Sequence, residues 1–323
     1  MNKQRSANGQ KGNAKMNILP ISELNKALNT DSGKVVSEAE ELYHGQLEAA
    51  VSDIAENCKE KPIILLSGPS GSAKTTTALR LKSLLRRNGF GAHVISMDNY
   101  FLPLNGLSGD ELIKIDLEAP SRVDIPLLKE HLERFWECLP TQLPVFNFAD
   151  QTRGEGELLC RQENEIIILE GIHVLNPSVT GDIKQHSQGI YVSVRTRLSN
   201  QNKLLHPSMI RLMRRLMRDR LFRGRKTEDI IRAFKSVQRG ETLYIMPFKD
   251  NAAFSIDTFM SFESAVYCNK LLPQLQEVNK DFELYGTVRE LLDFMENIVP
   301  LPTSIVPDGS IVREFVGGSV FSY

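Results

Sequence analysis

Cysteine is scarce in this chain of 323 residues. Cys58, Cys138, Cys160 and Cys268 are scattered, with no Cys-x-x-Cys pair and no histidine at zinc-finger spacing. The pattern argues against a disulfide scaffold or a structural zinc module, and the four read as buried reduced thiols. No apolar run approaches the ~18 residues that a membrane helix needs. The N-terminal residues, polar and carrying Lys3, Arg5, Lys11 and Lys15, lack the apolar stretch of a secretory signal. A surplus of one charge is also missing, since 39 basic residues face 40 acidic ones. Such a balance speaks against a surface coated for nucleic acid and against an acidic tail protein. Neither Asn-Lys-x-Asp nor Asp-x-x-Gly occurs, which removes the pattern of a guanine-nucleotide switch. A cytoplasmic protein without membrane or nucleic-acid partners is the expectation.

What is present is ordinary globular composition, 41% hydrophobic and 24% charged, in a chain long enough to bury a large core unaided. A disordered or irregular leader is expected over 1–36. A single catalytic domain is expected over 37–299 with its core at 60–262, and an irregular C-terminal tail docked on it over 300–323. Glu38 to Cys58 reads as a helix with Leu42, Leu47, Val51 and Ile54 on one face. Pro62 to Ser67 is a short apolar run suited to a strand buried on both faces. Further strands are predicted at Ala92–Met97, Glu165–Glu170, Ile190–Val194 and Ser255–Met260, and helices at Lys74–Arg87 and Ser121–Leu139. Strands alternating with helices imply a mainly parallel sheet in a three-layer α/β/α fold, with ligands outside the carboxyl ends of the strands.

The sharpest local signal is Gly68-Pro-Ser70-Gly71-Ser72-Ala73-Lys74-Thr75, between a predicted strand and a predicted helix. A phosphate-binding loop needs backbone N–H groups turned inward, a lysine for the β- and γ-phosphates and a hydroxyl for magnesium, all at a helix N-terminus. Gly68, Lys74 and Thr75 meet the motif, and Ala73 replaces its usual last glycine. If that position requires positive φ, alanine costs on the order of 1 kcal/mol. The alternative is an ordinary glycine-rich turn; such a match arises by accident in about one chain of this length in forty. Two carboxylates, Asp98 and Glu170, close predicted strands and so come to the same sheet edge as the loop. They suit a base on an acceptor hydroxyl and an oxygen ligand for magnesium, against the blander reading of a loop residue and a helix cap. Between Arg211 and Lys226 lie eight of the chain's basic residues, with Arg211, Arg215 and Arg218 on one helical face. Beside a phosphate loop they read as an arginine-rich helical lid, against a nucleic-acid helix or a solvated basic face.

Taken in order, these segments resemble the uridine kinase/phosphoribulokinase group of P-loop kinases from about Pro62 to about Phe262. The likeness rests on the loop, Ser96-Met-Asp98-Asn-Tyr-Phe101, Ile115-Asp116-Leu-Glu-Ala-Pro120 and Pro144-Val-Phe146-Asn-Phe148 with Arg153. It continues through Ile168-Leu-Glu170-Gly171-Ile172 and the arginines Arg215, Arg218, Arg223 and Arg225. The closer similarity is to bacterial uridine-kinase-like nucleoside kinases, through Glu170 to Pro177, Arg239 to Phe248 and an ending like Val306 to Ser319. The resemblance implies ATP and Mg2+, and ATP contacts from Gly68, Ser70, Gly71, Ser72, Ala73, Lys74, Thr75 and Thr76 with Arg218, Arg223 and Arg225. It implies metal support from Thr75 and Glu170, and catalytic parts for Asp98 as base, Lys74 and Arg218. It assigns the acceptor to Asp98, Tyr100, Asp116, Phe146, Gln151, Arg153 and Arg215, with a small-molecule partner and the oligomeric state left open.

The departures bear on the acceptor. Gln151 stands where uridine kinases place a base-reading histidine, and Phe101 and Phe146 where they offer tyrosines. Lost polar readers weaken discrimination by large factors, so uridine specificity does not follow. His173 lies near the expected site and reads as structural rather than catalytic. The expected function is γ-phosphoryl transfer from ATP to a hydroxyl, foremost a nucleoside's 5′-OH. The rivals are a kinase for a non-nucleoside alcohol, a nucleotide-binding regulator with altered catalysis, and a nucleotide-driven switch or motor.

Overall fold

The computed structural model describes residues 17–106, 108 and 115–322. Lys3, Arg5, Lys11 and Lys15 of the expected leader lie outside them. Among the described residues no helix is long and apolar enough to cross a membrane.

The chain is a three-layer α/β/α structure. It opens with β1 (Ile18–Pro20) and α1 (Ile21–Asn57), so residues 17–36 are not the irregular leader expected of them. Asp31, extended at φ −159°, breaks α1, and its carboxylate accepts from the Lys34 N–H at 2.9 Å, which caps the second segment. The interruption at Asp31-Ser-Gly33 reads as a loop in the sequence, and it conceals the helix before it. On that second segment Leu47, Val51 and Ile54 are buried, but Leu42 is 71% exposed. The inward position above Leu47 falls four residues back, on Tyr43, and Leu42 is one position off the face.

Next come β2 (Ile63–Ser67), α2 (Lys74–Arg87) and β3 (Gly91–Ser96), then α3 (Ile125–Trp136), β4 (Thr141–Asn147), β5 (Thr152–Leu159) and β6 (Glu165–Glu170). The helix expected over Ser121–Leu139 is shorter because Asp124 caps it, accepting from the Leu127 N–H, and Cys138 at φ 57° ends it. After the one-turn α4 (Pro177–Thr180) follow β7 (Ser187–Ser193), β8 (Arg197–Asn200), β9 (Lys203–Leu205), α5 (Pro207–Arg223), α6 (Thr227–Gly240) and β10 (Phe254–Asp257). α7 (Glu263–Gln276), α8 (Tyr285–Met295) and the one-turn α9 (Arg313–Val316) complete the chain.

Five strands form the central sheet in the order β10-β7-β2-β6-β3, all parallel. Alternate residues feed two separate cores. Ile64, Leu66, Ile166 and Ile168 face α1, α2 and α5, while Ile63, Leu65, Ile167 and Leu169 face α3. Burial on both faces explains why these strands read as unbroken apolar runs. β1, β8 and β9 form a small second sheet, and β4 and β5 an antiparallel pair. In the C-terminal segment Val306, Ile311, Val312 and Phe315 are buried against the main core.

Candidate functional site

The turn from β2 to α2 is built so that only glycine fits at its start. A Cβ on Gly68 would lie 2.1 Å from the Val192 carbonyl oxygen and 2.8 Å from Ser72 Oγ. Gly71 has φ +78° with the Arg211 carbonyl 3.0 Å from where a Cβ would sit. Ala73 does occupy the left-handed region, at φ 63° and ψ 37°, so this chain carries the strain of about 1 kcal/mol that glycine would avoid. Its neighbours hold it there: the Ala73 carbonyl accepts from the Thr77 N–H and hydroxyl, and its side chain is buried.

The loop's functional groups diverge from here. Lys74 Nζ lies 3.4 Å from the Pro69 carbonyl oxygen, folded over its own loop. Thr75 Oγ1 lies 3.4 Å from Glu170 Oε1, and Ser96 Oγ donates to the same oxygen at 3.0 Å. The side chains of Ser72 and Thr76 are buried and turned inward, Thr76 donating to Glu314 Oε2 at 2.5 Å.

Asp98 follows β3 at the neighbouring strand end, with Ser96 Oγ accepting from its N–H. Burial pushes its carboxyl above the ordinary carboxylate range, against the pull of Lys74 and Arg223. Glu170 is raised to about 7, first by burial and then by the Asp98 charge, while Lys74 opposes the shift. Burial thus raises both carboxyls, and a cation bound beside them would favour their charged forms. Among the described residues no group of three or more His, Cys, Asp or Glu could hold a metal. The available donors are hard oxygens, the Thr75 hydroxyl and Glu170 carboxylate, few enough that phosphate and water would complete the shell. That set fits magnesium.

Helix α5 divides the arginines that the sequence grouped together. Arg211 and Arg215 donate to the Ser70 carbonyl and hydroxyl at 3.1 and 2.6 Å, and Arg214 to the Gly71 carbonyl at 3.0 Å. These three anchor the helix on the loop. Arg218, Arg223 and Arg225, further along, line the open cavity. Asp219, fully buried, gathers Arg218, Arg223 and Arg215 at 2.9, 3.4 and 3.8 Å. Its charge lets several guanidinium groups crowd together before any phosphate arrives.

Part of the loop, the two strand-end carboxylates and four of the arginines border one cavity of about 830 Å3. The loop contributes Ser70, Gly71, Ala73, Lys74 and Thr75, the strand ends Asp98 and Glu170, and α5 with its following turn Arg215, Arg218, Arg223 and Arg225. The remaining wall is Phe101, Leu117, Glu118, Phe148, Ala149, Gln151, Ile172 and Glu314. Gln151, at φ 52°, holds its place by donating to the Phe148 carbonyl.

Four expected acceptor contacts do not line this cavity. Tyr100 is fully buried with its hydroxyl 3.0 Å from His131 Nδ1. Asp116 is engaged by Arg239 at 2.6 Å and the Tyr244 hydroxyl at 2.9 Å. Arg153 pairs with Asp124 at 2.9 Å. Phe146 lies behind the rim, its ring edge-on to Phe101 and Phe148 at 5.8 and 5.1 Å. His173 is buried outside the lining, lowered to about 4 by burial and therefore neutral. Leu117, Glu118, Phe148, Ala149, Ile172 and Glu314 are lining residues that were not among the expected site residues. All but Ala149 and Glu314 lie inside the motif segments at 115–120, 144–148 and 168–172; nothing local singled out Glu314.

A phosphate loop between a central strand and its helix, carboxylates on adjacent strand ends and an arginine-lined helix define a P-loop phosphotransferase. The Phosphoribulokinase / Uridine kinase family model matches residues 63–262, more than half of the chain. The chain belongs to this family and is a P-loop kinase with an alcohol acceptor. It is 32% identical over 178 residues to a uridine kinase of Lactobacillus johnsonii, a match covering 54% of this chain and 76% of that protein. With a uridine kinase of Yersinia pestis it shares 31% over 208 residues, 62% of this chain and 88% of that one. A solved D-glycerate 3-kinase from Cryptococcus neoformans aligns over 67% of this chain and 89% of its own, at 14% identity and a TM-score of 0.45. That likeness is too loose to bear on substrate.

Proposed function

We propose that the protein transfers the γ-phosphoryl group of ATP to a hydroxyl of a small acceptor, foremost the 5′-OH of a nucleoside. The observation that carries this reading is the convergence of Lys74, Asp98, Glu170 and the lid arginines on one cavity. Little covalent chemistry is asked of the protein in such a transfer; positioning and charge neutralisation lower the barrier. Lys74 and the loop N–H groups hold the leaving phosphates, and Arg218, Arg223 and Arg225 fold over the transferring group. Asp98 accepts the proton of the acceptor hydroxyl, and its raised proton affinity suits that task. Thr75 and Glu170 would hold magnesium, which supplies charge neutralisation on the phosphate oxygens when bound.

The acceptor would enter between Phe101, Phe148 and Gln151, with Arg215 at the loop side. Asp116, Arg153, Tyr100 and Phe146 would bear on it from behind this wall or after rearrangement of their present pairs. Because aromatic rings and a carboxamide line the entrance, an alcohol other than a nucleoside is the second reading.

Lys74→Ala tests the loop itself. Loss of the charge-assisted contact to phosphate is expected to weaken ATP by about tenfold or more in calorimetric titration. Unchanged affinity would mean that the nucleotide does not sit on this loop.

A further inference from the structure

Glu314 comes from the C-terminal segment, outside the stretch that the family model matches, yet it lines the catalytic cavity. Its position is fixed from two sides. Glu314 accepts from Thr76 in the first turn of α2, and the adjoining Phe315 is fully buried with the Arg214 guanidinium 5.2 Å from its ring centre. Arg214 in turn donates to Thr258, immediately after β10. β10 is one edge of the central sheet and β3, which delivers Asp98, is the other. The segment bearing Glu314 is thus held from the β10 side of the loop that follows the central strand β2, whereas Asp98 follows β3 at the other edge of the sheet.

In-line transfer puts the attacking and leaving oxygens on opposite sides of the phosphorus. With the acceptor hydroxyl at Asp98, the leaving diphosphate and its nucleoside run toward the β10 side, from which the segment bearing Glu314 is held. A carboxylate there would repel phosphate oxygens but accept hydrogen bonds from neutral donors. One of its oxygens already accepts from Thr76, which leaves most of the about four acceptor sites of a carboxylate for other donors. The vicinal hydroxyls of a ribose supply two O–H donors at the spacing of one carboxylate. We infer that Glu314 binds the ribose hydroxyls of the phosphoryl-donor nucleotide, so that the C-terminal segment completes the donor site. The inference rests on the ATP-dependent reading of the cavity given above.

Calorimetric titration with ATP and with 2′,3′-dideoxy-ATP tests it in the full chain. The unaltered protein is expected to favour ATP by about tenfold or more, the size of charge-assisted hydrogen bonds. Glu314→Ala is expected to abolish that preference. Glu314→Gln, which still accepts from Thr76 and so keeps the segment docked, is expected to retain a reduced one. A purely structural part in docking the tail would lower both affinities together and leave their ratio unmoved, which would overturn the assignment. So would tighter ATP binding by Glu314→Gln, because the carboxylate would then be repelling phosphate. Failure of the unaltered protein to bind either nucleotide would instead remove the kinase reading, and this inference with it.

Discussion

Asp98→Asn is expected to lower turnover by about 10²- to 10⁴-fold, the range that a positioned general base contributes. The carboxylate and carboxamide are nearly isosteric, so the half-buried site beside Ser96 and Lys74 should keep its shape. Removing a negative charge from the neighbourhood of Lys74 and Arg223 also removes repulsion of the incoming triphosphate. Nucleotide affinity is thus expected to hold or tighten while kcat and kcat/KM fall together, the signature of an interaction made in the transition state. Steady-state kinetics with calorimetry on the same preparation separates the two effects. Near-normal turnover would show that Asp98 is not the base.

The second large effect is on stability. Arg214 and Glu263 are both completely buried, with Nε and Nη2 of the arginine donating to the two carboxylate oxygens at 2.7 and 2.9 Å. Arg214 also donates to the Gly71 carbonyl and the Thr258 hydroxyl, tying the loop, the end of β10 and α7 into one assembly. Arg214→Met strands the Glu263 charge with only the Met260 N–H and the Tyr267 hydroxyl. A cost of about 3–5 kcal/mol follows from an uncompensated buried charge, against a typical total of about 5–15 kcal/mol. Arg214→Met combined with Glu263→Leu removes both charges and should recover part of the loss. Urea unfolding with unchanged m-value measures it. A single-variant cost below about 1 kcal/mol, as for an exposed pair, would contradict this view of the pair.

Much of the architecture is legible in local pattern. The runs at Ile63–Ser67 and Glu165–Glu170 are apolar throughout because both faces of the parallel sheet are covered. The loop announces itself through Gly68, Lys74 and Thr75, and the positive φ that is the condition for strain at Ala73 is present. Asp98 and Glu170 were recoverable because parallel strands end at one sheet edge. What local pattern could not give was partner choice across the chain. The spacing of Arg211, Arg214, Arg215 and Arg218 shows a shared helix but not that α5 is enclosed, so that three of them, Arg211, Arg214 and Arg215, brace the loop. The buried Asp219 looks like one acid in a basic run. Tyr100, Asp116 and Arg153 are claimed by His131, Tyr244 with Arg239, and Asp124, pairings between residues up to 128 positions apart. Glu314 reaches the cavity only because Phe315 and its neighbours dock over a long return path.

Acceptor-dependent release of ADP from ATP and Mg2+ bears most directly on the central claim. The screen spans nucleosides, sugars and other small alcohols, with Asp98→Asn run beside the unaltered protein. The account predicts that at least one acceptor, a nucleoside foremost, raises ADP release in the unaltered protein and that Asp98→Asn abolishes the increment. Nucleotide binding with no acceptor-dependent ADP release, or an increment that survives Asp98→Asn, would contradict it.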